Sequence, residues 1–175
     1  MKDALLLVDL INLFDHDDGD RLLRSFRTRL PGMQSTIEQA RDSNVPVIYV
    51  NDNAGRWDSD SRALVRLAEE GRGGELIGSL APRNEDRLVL KPRYSAFDHT
   101  PLAILLEELR IERLLLAGAA TEGCVVQTAI DARELGFKVT IIRDACATND
   151  ERLERIALEY AEEVGGVRIA SSAEM

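Results

Sequence analysis

Short aliphatic runs alternate along this chain with longer segments in which apolar residues recur at helical spacing. A short continuous apolar run is typical of a strand that is buried on both faces of a sheet. The runs of this kind are Ala4–Val8, Val45–Val50, Leu114–Ala117 and Val139–Ile142. Arg87–Leu90 predicts a fifth strand from a weaker pattern, and Val167–Ala170 predicts a terminal edge strand.

The segments between these runs predict helices, several of which begin or end at good capping residues. The predicted helices are Met33–Arg41, Ser61–Glu70, Pro101–Leu109, Cys124–Leu135 and Glu151–Val164. This alternation predicts an α/β fold, a Rossmann-like three-layer sandwich in which helices cover both faces of a doubly wound, mostly parallel six-stranded sheet. Ligands bind beyond the carboxyl ends of such strands, where the irregular regions Asp15–Arg21 and Asn51–Asp60 are expected.

Composition narrows the class of protein. The 175 residues fit a single domain over residues 1–175, and the net charge of −9 argues against nucleic acid or an anionic membrane as partner. A negative substrate stays possible, because a pocket can be locally basic. With no long apolar run, no signal-peptide pattern and only two cysteines, Cys124 and Cys146, we expect a soluble cytoplasmic protein without disulfides.

Cys124 follows the small-residue turn Gly118–Gly123 between a predicted strand and a predicted helix. A thiol there faces unpaired backbone N–H groups and the positive end of the helix dipole, which favour the nucleophilic thiolate. The same N–H groups could hold a developing oxyanion. The alternative is that Cys124 is a small buried hydrophobe.

Two further polar residues end predicted strands. Asp9 follows the first apolar run, and Lys91 follows the weaker run Arg87–Leu90. If the sheet order brings these strand ends together, a carboxylate, an ammonium and a thiol meet in one cleft. The lysine would stabilise both anions, and the aspartate could take the thiol proton and later activate water.

With these positions the chain resembles the isochorismatase-like cysteine hydrolases, a superfamily that includes isochorismatases, nicotinamidases and N-carbamoyl amidases. The resemblance covers nearly the whole chain. It rests on LLLVDLINLF at Leu5–Phe14, VIYVNDNAGRW at Val47–Trp57, LKPRYSAFDHT at Leu90–Thr100 and LLLAGAATEGCVVQTAIDA at Leu114–Ala132.

The resemblance implies roles for individual residues. Asp9, Lys91 and Cys124 match the family's catalytic triad, and the backbone N–H groups of Ala120 and Cys124 match its oxyanion hole. The family usually has a cis peptide before the position of Ala120, which makes Ala119–Ala120 the candidate bond. Family members are commonly homo-oligomers, and the predicted helices Pro101–Leu109 and Cys124–Leu135 could offer an apolar face for a second copy.

The substrate pocket is predicted from loops that follow strands. Its candidate residues are Phe14, Trp57, Tyr94, Phe97 and Thr121, because aromatic walls suit a small cyclic or planar compound. Arg56 and Arg93 could bind a substrate carboxylate, although surface or structural roles are more common for arginine.

No metal or other cofactor is predicted. Nicotinamidases of the superfamily carry an Asp-x-His stretch and further histidines that bind a divalent metal. Here the corresponding residues are Asn51-Asp52-Asn53, and the whole chain has only two histidines, His16 and His99. A histidine-rich metal site therefore cannot be built.

The sequence thus favours a metal-independent cysteine hydrolase that cleaves a C–N bond of a small amide or carbamoyl compound through Cys124, Asp9 and Lys91. Two alternatives stay open. One is vinyl-ether hydrolysis of the isochorismatase type, in which Asp9 is the main acid. The other is a non-catalytic protein that binds a small molecule on the same scaffold.

Overall fold

The computed structural model of the protein describes residues 1–57 and 60–175, so part of the predicted irregular region Asn51–Asp60 lies outside the described residues. The strands are β1 Asp3–Val8, β2 Val47–Asp52, β3 Arg87–Lys91, β4 Arg113–Ala119, β5 Lys138–Ala147 and β6 Arg168–Ala170. The helices are α1 Gly19–Asp42, α2 Ser61–Glu70, α3 Gly74–Leu80, α4 Leu102–Glu108, α5 Val126–Glu134 and α6 Glu151–Glu163. A π-helical turn, Thr121–Val125, precedes α5, and a 3-10 turn, Ser172–Glu174, follows β6.

All six strands are parallel and lie in the order β3-β2-β1-β4-β5-β6. The predicted α/β fold with a doubly wound sheet is therefore confirmed. The order reverses at β1, which pairs with β2 on one side and with β4 on the other. Such a switch point opens a crevice beyond the carboxyl ends of the strands. The ends of β1, β3 and β4 all lie at this edge.

Alternate residues of the strands supply two apolar layers. In β1, Leu5 and Leu7 face the layer covered by α1, α2 and α3, whereas Leu6 and Val8 face the layer covered by α4, α5 and α6. Both faces of the strand are buried, which explains why its sequence is continuously apolar. Within the described residues, no helix has the length and apolarity that crossing a bilayer requires.

The start of the first helix was predicted wrongly. Met33 was expected to begin it after Pro31-Gly32, but α1 begins at Gly19 and continues through Pro31. Proline removes one backbone hydrogen bond from a helix. Leu22, Phe26 and Met33 all lie on the buried face of this helix. The packing of this face against the sheet outweighs the lost hydrogen bond. The predicted irregular region Asp15–Arg21 is therefore partly helical.

Helix α3 was missed altogether. The sequence Gly71-Arg72-Gly73-Gly74 predicts a connection, but α3 begins at its last glycine and buries Leu76, Ile77 and Leu80. Its seven residues are too few to show a clear helical period in the sequence.

Gly118 in β4 has no room for a side chain. Its φ of +126° is in the range that favours glycine, and a Cβ there would overlap the carbonyl oxygen of Val8 on the paired strand. We expect Gly118→Ala to lower the free energy of unfolding by about 3 kcal/mol or more, because backbone strain and overpacking add. Urea unfolding measures the loss. Gly123→Ala is the control, since its Cβ would meet nothing within 4 Å; equal losses in both variants would contradict the steric explanation.

Candidate active site

The polar residues predicted at the strand ends lie close together at the switch point of the sheet. Asp9 follows β1 directly, and Lys91 is the last residue of β3. The Nζ atom of Lys91 lies 2.8 Å from Oδ2 of Asp9, and only 1% of the lysine side chain is exposed. A buried lysine and a buried aspartate therefore form an ion pair between strands that β2 separates.

The Lys91 ammonium also reaches the thiol. Its Nζ atom is 3.5 Å from Sγ of Cys124 and 2.9 Å from the carbonyl oxygen of Arg93. An ammonium has three N–H donors, and three acceptors surround this one. The lysine is therefore fixed between the carboxylate and the sulfur. The second carboxylate oxygen of Asp9 accepts from the backbone N–H of Asp52 at 2.6 Å, which fixes the aspartate as well.

The charges of this cluster set the protonation of the thiol. Burial and the negative charge of Asp9 raise the pKa of Cys124 to about 12, and Lys91 offsets only part of that increase. The helix terminus was expected to favour the thiolate, but burial and the Asp9 carboxylate act in the opposite direction. Burial also raises the pKa of Asp9. Burial lowers the pKa of Lys91, but the neighbouring Asp9 and Cys124 raise it by more, so the net effect is a raised pKa.

These pKa directions predict how Cys124 alkylation depends on pH. We expect its rate with iodoacetamide to rise about tenfold per pH unit between pH 7 and 10, because only the thiolate reacts. Asp9→Asn removes a negative charge that raises the thiol pKa, so it should speed alkylation at pH 8. The control is Asp17→Asn, an exposed aspartate outside the cleft. A plateau below pH 8.5 in the unchanged protein would contradict the prediction.

The loop after β4 brings backbone groups to the same place. The Ala119–Ala120 peptide bond is cis, at the position that the family resemblance indicates. The carbonyl oxygen of Ala120 accepts from the N–H groups of Gly123 and Val125, which closes the π-helical turn around Cys124. Ala119, Ala120, Gly123 and Cys124 all line the cleft above the lysine.

The cleft has a volume of about 610 Å³ and agrees only partly with the predicted pocket. Phe14 and Tyr94 line it. Trp57 is 81% exposed and lies outside the lining residues. Phe97 packs on the apolar layer under α4 and α5, with its ring 6.1 Å from that of Phe137. The prediction that Trp57 and Phe97 line the substrate pocket was therefore wrong.

Thr121 is also absent from the cleft wall. Its side chain is fully buried, and its hydroxyl lies 3.0 Å from the carbonyl oxygen of Ala147 and 2.9 Å from Oε1 of Glu154. Glu154 in turn pairs with Arg29 at 3.0 Å. Thr121 therefore ties the turn that carries Cys124 to β5 and α6.

The two candidate arginines lie outside the cleft lining. Arg93 lines a separate depression with Asp98 and Asp131, and Arg56 belongs to the loop after β2. In that loop, Oδ1 of Asp52 accepts from the N–H of Ala54 at 2.7 Å, as in a turn. Over residues 1–57 and 60–175, no group of three or more His, Cys, Asp or Glu side chains is placed to hold a metal ion.

Glu122 and Asn149 are among the cleft residues that were not predicted. The Glu122 carboxylate accepts from the hydroxyl of Thr148 at 2.7 Å and from the N–H of Asn149 at 2.9 Å. Glu122 and Asn149 both line the cleft. A signal for them was available, because Asn149 follows β5 at the ligand-binding edge and Glu122 stands in the turn before Cys124. Cys146, by contrast, is fully buried.

Comparisons with known proteins agree with this architecture. The sequence model described as the isochorismatase domain matches residues 3–174. The chain is 35% identical over 161 residues to an uncharacterized isochorismatase family protein, YaaI, of Bacillus subtilis strain 168, covering 92% of this chain and 89% of that one. It is 30% identical over 156 residues to a probable inactive nicotinamidase of Arabidopsis thaliana, covering 82% of this chain and 80% of the relative.

A solved structure gives the same result. The crystal structure of N-carbamoylsarcosine amidase from Thermoplasma acidophilum has a TM-score of 0.76 and 29% identity, covering 100% of this chain and 99% of that one. The matches extend over the strand-end cluster and the cleft as well as the sheet. The chain therefore belongs to the isochorismatase family, and it is a hydrolase.

Proposed function

We propose that this hydrolase cleaves a C–N bond of a small amide or carbamoyl compound without a metal, through Cys124, Asp9 and Lys91. The observation that carries the proposal is the position of the Lys91 ammonium, 2.8 Å from the Asp9 carboxylate and 3.5 Å from the Cys124 sulfur. A buried lysine that binds both an acid and a thiol is an arrangement suited to thiol chemistry, because it stabilises each anion as it forms.

The thiol pKa indicates how the reaction begins. Burial and the negative charge of Asp9 raise the pKa of Cys124, so the thiol carries its proton when the substrate arrives. As Sγ attacks the carbonyl carbon, Asp9 takes the thiol proton, and the raised pKa of this carboxyl suits that acceptance. Asp9 then gives the proton to the leaving nitrogen when the C–N bond breaks. Water, deprotonated by Asp9, attacks the carbon of the thioester, or of the thiocarbamate that a carbamoyl compound gives. The C–S bond breaks, the acid is released, and Asp9 returns the proton to Sγ.

The oxyanion is assigned to the backbone N–H groups of Ala120 and Cys124. Both residues line the cleft at the turn after β4, which supports this assignment. Two fixed N–H donors stabilise a tetrahedral intermediate more than the planar carbonyl, which lowers the barrier.

The test is ammonia release from a panel of small primary amides and carbamoyl compounds, with mass spectrometry of the quenched enzyme. We expect one compound to give both ammonia and an acyl adduct on the peptide that contains Cys124. Turnover with the adduct on another residue would contradict the proposal. The absence of turnover across the panel, with a thiol that never reacts, would favour a binding role on the same scaffold.

Vinyl-ether hydrolysis is the second candidate, because burial raises the pKa of Asp9 and a protonated carboxyl can protonate a vinyl carbon. Isochorismate distinguishes the two reactions. If ether cleavage is the activity, Asp9→Asn should abolish it whereas Cys124→Ala should retain much of it.

We also propose a homo-oligomer, although through a different helix from those predicted. Leu102 and Leu106 of α4 and the small residues of α5 are buried against the sheet. An exposed apolar stripe lies on α6 and continues to Val164 directly after it; it comprises Leu153, Ile156, Tyr160 and Val164, each 43–67% exposed. Apolar residues at this spacing form one face of a helix, and a second copy could cover it.

This interface can be tested by the molecular mass in solution. We expect light scattering to give a multiple of 19.4 kDa for the unchanged protein and a lower mass for Ile156→Glu combined with Tyr160→Glu. The matched control is Glu162→Gln on the same helix. A monomeric mass for the unchanged chain would contradict the proposal.

A further inference from the structure

The active-site cleft is lined by negative groups. Besides Asp9, the carboxylates of Asp15, Asp52 and Glu122 line it. Among residues 1–57 and 60–175, no lysine or arginine belongs to the lining, and His16 is its one basic side chain. A substrate in this cleft therefore meets an excess of negative charge.

The nearby cations Lys91 and Arg72 pair with Asp9 and Asp20, so the excess of negative charge comes from Asp15, Asp52 and Glu122. All three donors of the Lys91 ammonium are directed to Asp9, Cys124 and the carbonyl oxygen of Arg93. Arg72 donates to the carbonyl oxygen of Phe14 from outside the cleft and pairs with Asp20. Each of these cations is thus already engaged by acceptors of the protein.

The Glu122 carboxylate is fixed where it stands. Both of its oxygens accept hydrogen bonds, one from the hydroxyl of Thr148 and one from the N–H of Asn149. The Thr148 hydroxyl in turn accepts from the backbone N–H of Asp150 at 3.0 Å. Glu122 cannot turn away from an incoming anion without losing both bonds, so its carboxylate is a fixed part of the wall.

The remaining wall is largely apolar. The side chains that provide it are Ile11, Leu13, Phe14, Leu22 and Leu64. An apolar surface lowers the local dielectric constant, so the carboxylates act on a bound group more strongly than they would in water. A substrate carboxylate would meet like charge there and have no cation to replace its lost hydration.

We propose that the substrate is a neutral or cationic amide or carbamoyl compound without a carboxylate, and that Glu122 and Asp15 determine this specificity. This inference rests on the function proposed above for its chemistry. The charge discrimination itself depends only on the cleft, so it can be measured at the Cys124 thiol without any turnover.

The first test compares two alkylating reagents of nearly equal size, neutral iodoacetamide and anionic iodoacetate. In each, Sγ displaces iodide from the CH₂ carbon after the thiol proton is lost. We expect the iodoacetamide-to-iodoacetate rate ratio at Cys124, at pH 9 and low salt, to exceed that of N-acetylcysteine by about tenfold. Salt should reduce this excess. Cys124→Ala supplies the blank for other sites.

Variants assign the discrimination to individual residues. Glu122→Gln and Asp15→Asn should each move the ratio toward that of N-acetylcysteine, because each removes one negative charge from the wall. Asp17→Asn is the matched control: it makes the same change at an exposed aspartate outside the cleft, so the ratio should not change. A ratio in the unchanged protein at or below that of N-acetylcysteine would overturn the proposal.

The second test uses turnover of succinamide and succinamate, which share the reacting amide and differ in the charge of the far end. We expect kcat/KM to be at least about tenfold higher for succinamide. Equal turnover of both, lost in Cys124→Ala, would overturn the charge discrimination and leave the hydrolase mechanism standing. If the iodoacetamide-to-iodoacetate ratio at Cys124 stayed high but no amide gave an acyl adduct, the charge discrimination would stand and the hydrolase mechanism would be wrong.

Discussion

We expect Cys124→Ala to abolish amide hydrolysis, with a loss in kcat of roughly 10⁴-fold or more. The sulfur is the one atom of the cluster that can form the thioester, and the alanine variant leaves Asp9 and Lys91 paired but without a nucleophile. The fold should persist, because Cys124 is partly exposed at the cleft and its removal leaves no enclosed cavity in the core. Ammonia release and circular dichroism measure the two effects.

Cys146→Ala is the matched control for the loss of a thiol. Cys146 is fully buried, and its sulfur lies 3.9 Å from the carbonyl oxygen of Leu116, away from the cluster. The Cys146→Ala variant should keep kcat within a few-fold of that of the unchanged protein. It should lose some stability, because the smaller side chain leaves a small void in the core. If Cys124→Ala kept half of the unchanged turnover, the nucleophile assignment would be wrong.

Lys91→Met should produce the largest loss of stability among changes in the cluster. The Lys91 side chain is 1% exposed, and the variant leaves the Asp9 carboxylate buried without its cation. Breaking a buried ion pair in this way costs about 3–5 kcal/mol, because an uncompensated charge stays in a medium of low dielectric constant. Urea unfolding at pH 7 measures the cost through the shift in midpoint.

The dependence of this loss on pH follows from the carboxyl. Burial raises the pKa of Asp9 in the folded state even when Lys91 is present, and removing Lys91 removes the largest opposing cause. A carboxyl whose folded pKa is raised costs stability as pH rises above its unfolded pKa. The deficit of Lys91→Met should therefore be largest near neutral pH and shrink as pH falls toward that unfolded value.

A double variant separates charge from packing. Adding Asp9→Asn to Lys91→Met removes the uncompensated carboxylate, so the pair should recover most of the stability that Lys91→Met alone loses. If the double variant were as unstable as the sum of the single ones, the lysine would stabilise the protein by packing alone.

The aromatic pocket residues show the limit of sequence reasoning. Phe14, Trp57 and Phe97 all follow strands, yet one lines the cleft, one is exposed and one packs against Phe137. Loops share a position at the edge of the sheet, but their side chains point wherever the local packing allows. The positions of strand ends in the sequence therefore predict which edge of the sheet binds ligands, but they do not predict which side chains line the cleft.

The thiol shows a second limit. A helix terminus acts on Cys124 locally and is visible in the sequence, but the Asp9 carboxylate acts on it through space. Coulomb energies depend on distance and burial, and neither is defined until the chain has folded. The protonation of the Cys124 thiol could therefore not be predicted from its neighbours in the sequence alone.

The sequence by itself determined the sheet and the chemistry at its edge. Continuous apolar runs specify strands buried on both faces, and the polar residue after each run must emerge at the carboxyl end, so Asp9, Lys91 and Cys124 could be named in advance. The tertiary structure decided which side chains form the cleft, the protonation of the thiol and the negative wall that includes Glu122. Those properties depend on distances between segments that are far apart in the chain, and only folding sets these distances.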